Sequence, residues 1–277
     1  MVFFMNKVDI FDNIIEIITN EADQNGKLTI NDAQVYKELF NTKQAQSNYK
    51  LVNNKRQQDQ QPKNPQQNIQ NAPNIQKNQK NTNNLKSDFA QSLEKYDLNK
   101  LKTVTDNCTR CNLSKNRNLG VFGAGNPQAN LMFIGEVPTA NDNMSGTPFN
   151  NVDGELLAKM ITAMQFNCDE IFITHTVKCH TKNERQPYPN EALKCLPYLE
   201  RQIELVKPKV IVLLGGVPLR YLLKLNNIND YRGQWQNYKN IKVMPTFSPS
   251  YLNRYPNEKG KTWSDLKQVM QFFGKNH

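Results

Sequence analysis

From residue 130 onward the chain alternates between two hydrophobic rhythms. Four short, nearly continuous apolar runs at 130–135, 170–175, 209–215 and 241–247 have the length of buried strands. Apolar residues also return at helical spacing near 153–166, 190–206, 216–226 and 262–273, with Leu156, Leu157, Met160, Ile161 and Met164 marking the first such face. Strands alternating with helices predict an α/β domain, a three-layer α/β/α sandwich around a mostly parallel four-stranded sheet. The unusual residues gather after the first, second and fourth strands. That places one site along a single rim of the sheet.

Upstream the rhythm weakens. Residues 1–54 offer two short amphipathic stretches, one with Ile10, Ile14, Ile15 and Ile18 on a face, the other with Val35, Tyr36, Leu39 and Phe40 behind a capping Asp32. This is too little apolar material for a core and reads as a small helical module for a protein partner. Residues 55–90 form a Gln/Asn/Lys-rich linker with Pro62, Pro65 and Pro73, expected to be disordered because it has almost nothing apolar to bury. The third unit is the α/β domain at 91–277.

Composition narrows the partner. The 277-residue chain carries a formal net charge of +10, which suits a polyanion such as DNA. No apolar run approaches the roughly 20 residues of a membrane span, and Val2-Phe3-Phe4-Met5 is too short for a signal-peptide core. A reducing cytoplasm, with association to the nucleoid, is the expected compartment, and a monomer the expected state. There, five cysteines mean metal or chemistry before disulfides. Cys108-Thr-Arg-Cys111 precedes the first strand, Cys179 follows the second, and Cys195 lies on the next helix. These four are candidate ligands for a tetrahedral zinc or a four-iron cluster. Cys168, alone in a turn, reads as a bystander.

The stretch Gly135 to Gly154 is rich in Gly, Pro, Asn and Asp between a strand and a helix, where open α/β sheets place ligands. It holds the carboxylates Glu136 and Asp142 and an aromatic, Phe149, after Pro148. Further on come Val177-Lys178-Cys179 with Arg185 and Pro187, then Leu213-Leu214-Gly215, then Ser248-Pro249-Ser250-Tyr251-Leu252-Asn253-Arg254. From about Leu101 to Phe273, these pieces in this order resemble the family-4 uracil-DNA glycosylases, the iron–sulfur branch of that superfamily.

The resemblance implies a base-excision enzyme that flips uracil, or another deaminated base, out of DNA and hydrolyses its glycosidic bond. It implies a 4Fe-4S cluster on Cys108, Cys111, Cys179 and Cys195. Phe149 would stack on the base, with Val137 and position 175 at its edge. Asp142 would hold water near the sugar, with Glu136 supporting the loop. Ser250, Tyr251, Leu252 and Arg254 would grip phosphate and wedge the minor groove. Four positions depart from the family's pattern. Ser248 stands where the family has a histidine that meets the leaving base, and His175 where it has an asparagine reading the uracil edge. Thr139 and Asn151 replace glycines. Three readings stay open: His175 and Ser248 have exchanged duties in an active enzyme; the chain is a weakened or inactive iron–sulfur DNA-binding relative; or it is a zinc-stapled α/β binding module.

Overall fold

The computed structural model describes residues 88–275. The N-terminal helical stretches and nearly all of the Gln/Asn-rich linker lie outside the described residues. A helical turn at 88–93 already belongs to the folded body. Phe89 meets Tyr198 edge-on at 5.4 Å between ring centroids, and Leu93 is buried. Packing therefore begins slightly before the boundary expected at residue 91.

The four expected strands are present as β2 (Leu131–Gly135), β3 (Ile171–His175), β4 (Val210–Leu214) and β6 (Ile241–Thr246). They pair in parallel in the order β3-β2-β4-β6. The sheet has six strands rather than four. Two short antiparallel strands, β1 (Ala124–Gly125) and β5 (Gln236–Tyr238), close its edges against β3 and β6. Neither has an apolar run to announce it; each pairs because a neighbouring parallel strand would otherwise leave its backbone groups open.

Helices cover both faces. Along each central strand alternate residues point to opposite sides, and every position is buried. Leu131, Phe133, Ile171, Ile173, Val210 and Val212 pack with Leu157 and Ile161 of α3 (Val152–Ala163) and Leu266 and Val269 of α8 (Lys259–Phe272). Met132, Ile134, Phe172, Ile211 and Leu213 face the other way, onto α1 (Leu98–Asp106), α4 (Pro189–Val206) and α5 (Gly216–Leu223). The two-sided burial explains why these strands read as continuous apolar runs. Three shorter helices, α2 (Ala140–Ser145), α6 (Ile228–Tyr231) and α7 (Pro249–Arg254), lie in the connections. Among the described residues no helix is long and apolar enough to cross a membrane.

The chain runs from β2 to β3 on one side, then returns to β4 on the other side of β2. That reversal opens a crevice at the carboxyl end of β2. The loop from Gly135 to Gly154 emerges there, and its path requires a bare Cα at its far end. A Cβ on Gly154, in the first turn of α3, would lie 1.7 Å from the Phe149 carbonyl oxygen. Gly154→Ala should therefore lower stability by about 1–3 kcal/mol, as overpacking does. For a domain of this size that is a fall of roughly 3–10 °C in melting temperature, measurable by circular dichroism.

Candidate active site and cysteine cavity

Asp142 is the hub of the crevice. It sits at the third position of α2, where its backbone N–H donates to Thr139 Oγ1 (3.3 Å) and its Oδ2 accepts the Thr139 N–H (2.9 Å), a reciprocal capping box. Its Oδ1 accepts the Asn150 N–H at 2.6 Å. Its Oδ2 also meets His175 Nε2 at 3.2 Å. The carboxylate has 0% exposure, so in this conformation it holds a loop and an imidazole rather than a water. The carboxylate as acceptor sets the tautomer: Nε2–H of His175 donates, and Nδ1 is left buried without a partner.

His175 ends β3 and is 2% exposed. Its ring stacks on Phe149, with 4.5 Å between centroids and 27° between planes. Phe149 adopts a positive φ of 56°, uncommon for a bulky side chain and a sign of local strain at a site. Gly135 makes room for the pair, since a Cβ there would lie 2.6 Å from the Phe149 ring and 2.7 Å from His175 Nδ1. The structure thus brings Asp142, Phe149 and His175 together. In this arrangement the imidazole covers one face of the aromatic expected to stack on a base.

Glu136 does something different. Its Oε1 accepts N–H groups from Gly216 (3.1 Å) and Val217 (3.2 Å), capping α5, whose N-cap residue Gly215 has no side chain to offer. Burial raises its pKa above 4.5, opposed by those two hydrogen bonds and by the charges of Arg254 and His175. Val137 is half-buried against the cluster beneath α4 and α5.

Beyond β6, Ser248 is the N-cap of α7. Its Oγ accepts the Tyr251 N–H (3.3 Å) and pairs with Ser250 Oγ (3.1 Å). Among the described residues no hydrogen bond joins Ser248 to His175. Leu252, expected at the DNA face, is 1% exposed and packs with Leu156 and Phe247. It is a core residue, because on this short helix it points back at α3. Tyr251 and Arg254 remain toward the surface, and Arg254 Nε donates to the Ser250 carbonyl (3.2 Å). Thr139, Asn151 and Ser248, three of the four departures noted in the sequence, are all helix N-caps; Asn151 accepts from Asp153 N–H (3.0 Å) and Gly154 N–H (3.2 Å).

On the opposite face Cys108, Cys111, Cys179 and Cys195 line one cavity of about 290 Å³, counting its open mouth. The sulfurs already receive donors: Arg117 Nη1 to Cys179 Sγ (3.1 Å), Lys178 N–H to Cys195 Sγ (3.3 Å), Arg110 N–H to Cys108 Sγ (3.5 Å). Arg110, Arg117, Lys178 and Lys194 stand in the wall, a cationic setting for four thiolates. Burial raises the Cys179 thiol pKa and pushes that of Cys195 up to about 12, so a bound metal is what would deprotonate them. Among the described residues no three His, Cys, Asp or Glu stand close enough to hold a single ion.

Arg117 and Lys178 were not singled out for a role from sequence. Arg117 also donates to the carbonyls of Thr105 (3.2 Å) and Cys108 (3.1 Å), tying α1 to the cysteine loop. The buried Lys178 ammonium donates to Thr174 Oγ1 and the His175 carbonyl, both at 2.6 Å, and desolvation lowers its pKa to about 7. One residue therefore touches both the cysteine cavity and the strand end that carries His175. Its place between Val177 and Cys179 was the only signal.

Residues 122–267 match the model of the uracil DNA glycosylase superfamily. The chain belongs to that superfamily, in its type-4 branch. It is 40% identical over 174 residues to the type-4 uracil-DNA glycosylase of Saccharolobus solfataricus, covering 59% of this chain and 81% of that protein. It is 35% identical over 184 residues to that of Sulfurisphaera tokodaii (63% and 84%), and 35% over 175 residues to that of Thermotoga maritima (61% and 90%). Within this glycosylase fold, Glu136 offers a direct test of its capping role. Its raised pKa means that the native state holds the proton more tightly than the unfolded chain. Its contribution to stability is therefore full below pH 4.5 and is lost as pH rises through the native value. Glu136→Gln keeps an acceptor for the two N–H groups and should melt at or above the parent at pH 8. Glu136→Ala should melt lower at every pH, because it strands both donors.

Proposed function

We propose that this protein is a DNA glycosylase of base-excision repair, hydrolysing the N-glycosidic bond of uracil flipped out of DNA. The type-4 relationship supports the activity, and the Asp142–His175–Phe149 constellation at the sheet's switch point supports the site. A flipped uracil stacks on Phe149, and to use the covered face it displaces the imidazole. The bond between C1′ and the base nitrogen breaks, its electron pair leaving with uracil. Water adds to C1′ and gives up a proton, so the products are free uracil and an abasic deoxyribose. A donor at the uracil O2 lowers the barrier as the anion develops. His175 is the candidate donor once its ring turns from Phe149. Ser248, occupied as a cap, supplies at most a hydroxyl. Arg254 and Ser250 hold the backbone phosphates.

A 4Fe-4S cluster held by Cys108, Cys111, Cys179 and Cys195 is part of the same reading. The four thiols lining one cavity beside Arg117 and Lys178 support it. Cys108 and Cys111 after α1, Cys179 after β3 and Cys195 on α4 would hold it, and its role there would be structural, joining these three segments. Cys→Ser at any one of the four should lower iron and sulfide content and the melting temperature of anaerobically purified protein. Stoichiometric zinc without sulfide in the parent would overturn the cluster.

The activity is tested by incubating the protein with single- and double-stranded oligonucleotides carrying uracil, hypoxanthine or xanthine, then cleaving abasic sites with alkali. Uracil release is expected. His175→Asn alone should lower uracil release, because the candidate donor is lost, and adding Ser248→His should restore it. Ser248→His should raise it by roughly tens- to hundredfold, since one oxyanion donor is worth about a hundred- to a thousandfold. If the parent, both single changes and the double change release no base while still binding DNA, the enzymatic reading fails.

A further inference from the structure

We propose that Phe247, Tyr251 and Tyr255 form a stacking ladder beside the site that accepts an unpaired base of a single DNA strand. The choice of DNA rests on the proposed function; the ladder itself does not. The three rings follow one another four residues apart, the spacing that stacks side chains on one helical face. The Tyr255 N–H donates to the Tyr251 carbonyl (2.8 Å), so helical spacing persists past the end of α7. Phe247 and Tyr251 have centroids 4.6 Å apart at 30°, and Tyr251 and Tyr255 are 4.7 Å apart at 41°. Both steps are tilted, between parallel stacking and the edge-on contact of Phe89 with Tyr198.

The foot of the ladder is fixed and its top is open. Phe247 is buried with Leu156 and Leu252, and the Arg232 guanidinium lies 5.4 Å from its ring. Tyr255 is 54% exposed. A rigid run of rings that ends in solvent offers one more stacking step to a planar ligand. In an intact duplex each base already has a neighbour on both faces, so only an unpaired base can take that step.

Position and charge point to the strand that carries the flipped nucleotide. Asn253, between the two tyrosines, donates to Asp153 Oδ1 at 2.7 Å, which pins α7 beside the loop that presents Phe149. Arg254 Nε donates to the Ser250 carbonyl at 3.2 Å, which holds the guanidinium along α7, next in the chain to Tyr255. Among the described residues no ion pair includes Arg254. A cation next to an open ring is the pairing that single-strand sites use, the ring for the base and the cation for its phosphate. The ladder thus gives the protein a preference for substrates in which bases beside the lesion are already unpaired.

The test uses the full chain and a short fluorescein-labelled oligonucleotide without uracil, as a single strand and as a duplex. Fluorescence anisotropy should show Tyr255→Ala weakening single-strand binding about five- to tenfold, as loss of one stacked base implies, and duplex binding by less than about twofold. Tyr255→Trp should hold or tighten single-strand binding. Tyr255→Leu, which keeps apolar bulk without a ring, should fall with the alanine variant. A 2-aminopurine in the single strand should be quenched by the parent and by Tyr255→Trp but not by Tyr255→Leu. An unchanged single-strand affinity in Tyr255→Ala, equal losses on both substrates, or quenching kept by Tyr255→Leu would each overturn the ladder. These readouts need no base excision. A parent that releases uracil while Tyr255 variants bind normally sinks the ladder alone; a parent that releases none, with the single-strand losses intact, sinks only the enzymatic reading.

Discussion

A carboxylate with no access to water needs donors from the protein itself, and Asp142 finds three, two in its own loop and one at the end of β3. The Thr139 and Asn150 N–H groups and the His175 ring all converge on it. Each donor removed from a buried charge costs on the order of 1.5–3 kcal/mol, so the loop after β2, the approach to Phe149 and the end of β3 are locked to one another. Phe149 can hold a left-handed backbone only because its neighbours are fixed in this way. The cost of that order is an imidazole nitrogen with no partner and an aromatic face already covered.

The same economy explains the departures from the family pattern. Thr139 and Asn151, where the family resemblance expects glycines, are helix N-caps, and a side-chain oxygen there is worth about a few tenths of a kcal/mol over glycine. Ser248 likewise caps α7, ahead of a proline at the first helical position. These substitutions stiffen the rim of the site. His175 is different in kind, because it exchanges an amide for a ring that stacks on Phe149 and binds Asp142. It alters what the pocket contains rather than how its walls are built.

Two distant regions are joined through a single buried lysine. Lys178 lies in the chain between the site strand and Cys179, its amide faces Cys195, and its ammonium holds the carbonyl of His175. The cysteine cavity and the end of β3 are therefore joined by hydrogen bonds only a few ångströms long.

The sequence by itself determined the layers. Apolar runs that are buried on both faces cannot hide their periodicity, so the four parallel strands, most of the flanking helices and the rim that carries the site were all legible. It also determined the cysteine set and the Gly135–Gly154 loop, because their spacing is local. Tertiary structure alone decided the rest. The edge strands β1 and β5 exist by pairing and not by composition. Leu252 is core because α7 packs on α3, a fact invisible in a motif where any apolar residue would read as a wedge. Glu136 caps a helix that starts some eighty residues later, and Asp142 meets the ring of His175, 33 residues further on. Hydrogen bonds over such separations leave no periodic trace in a sequence, whereas the burial of a strand does.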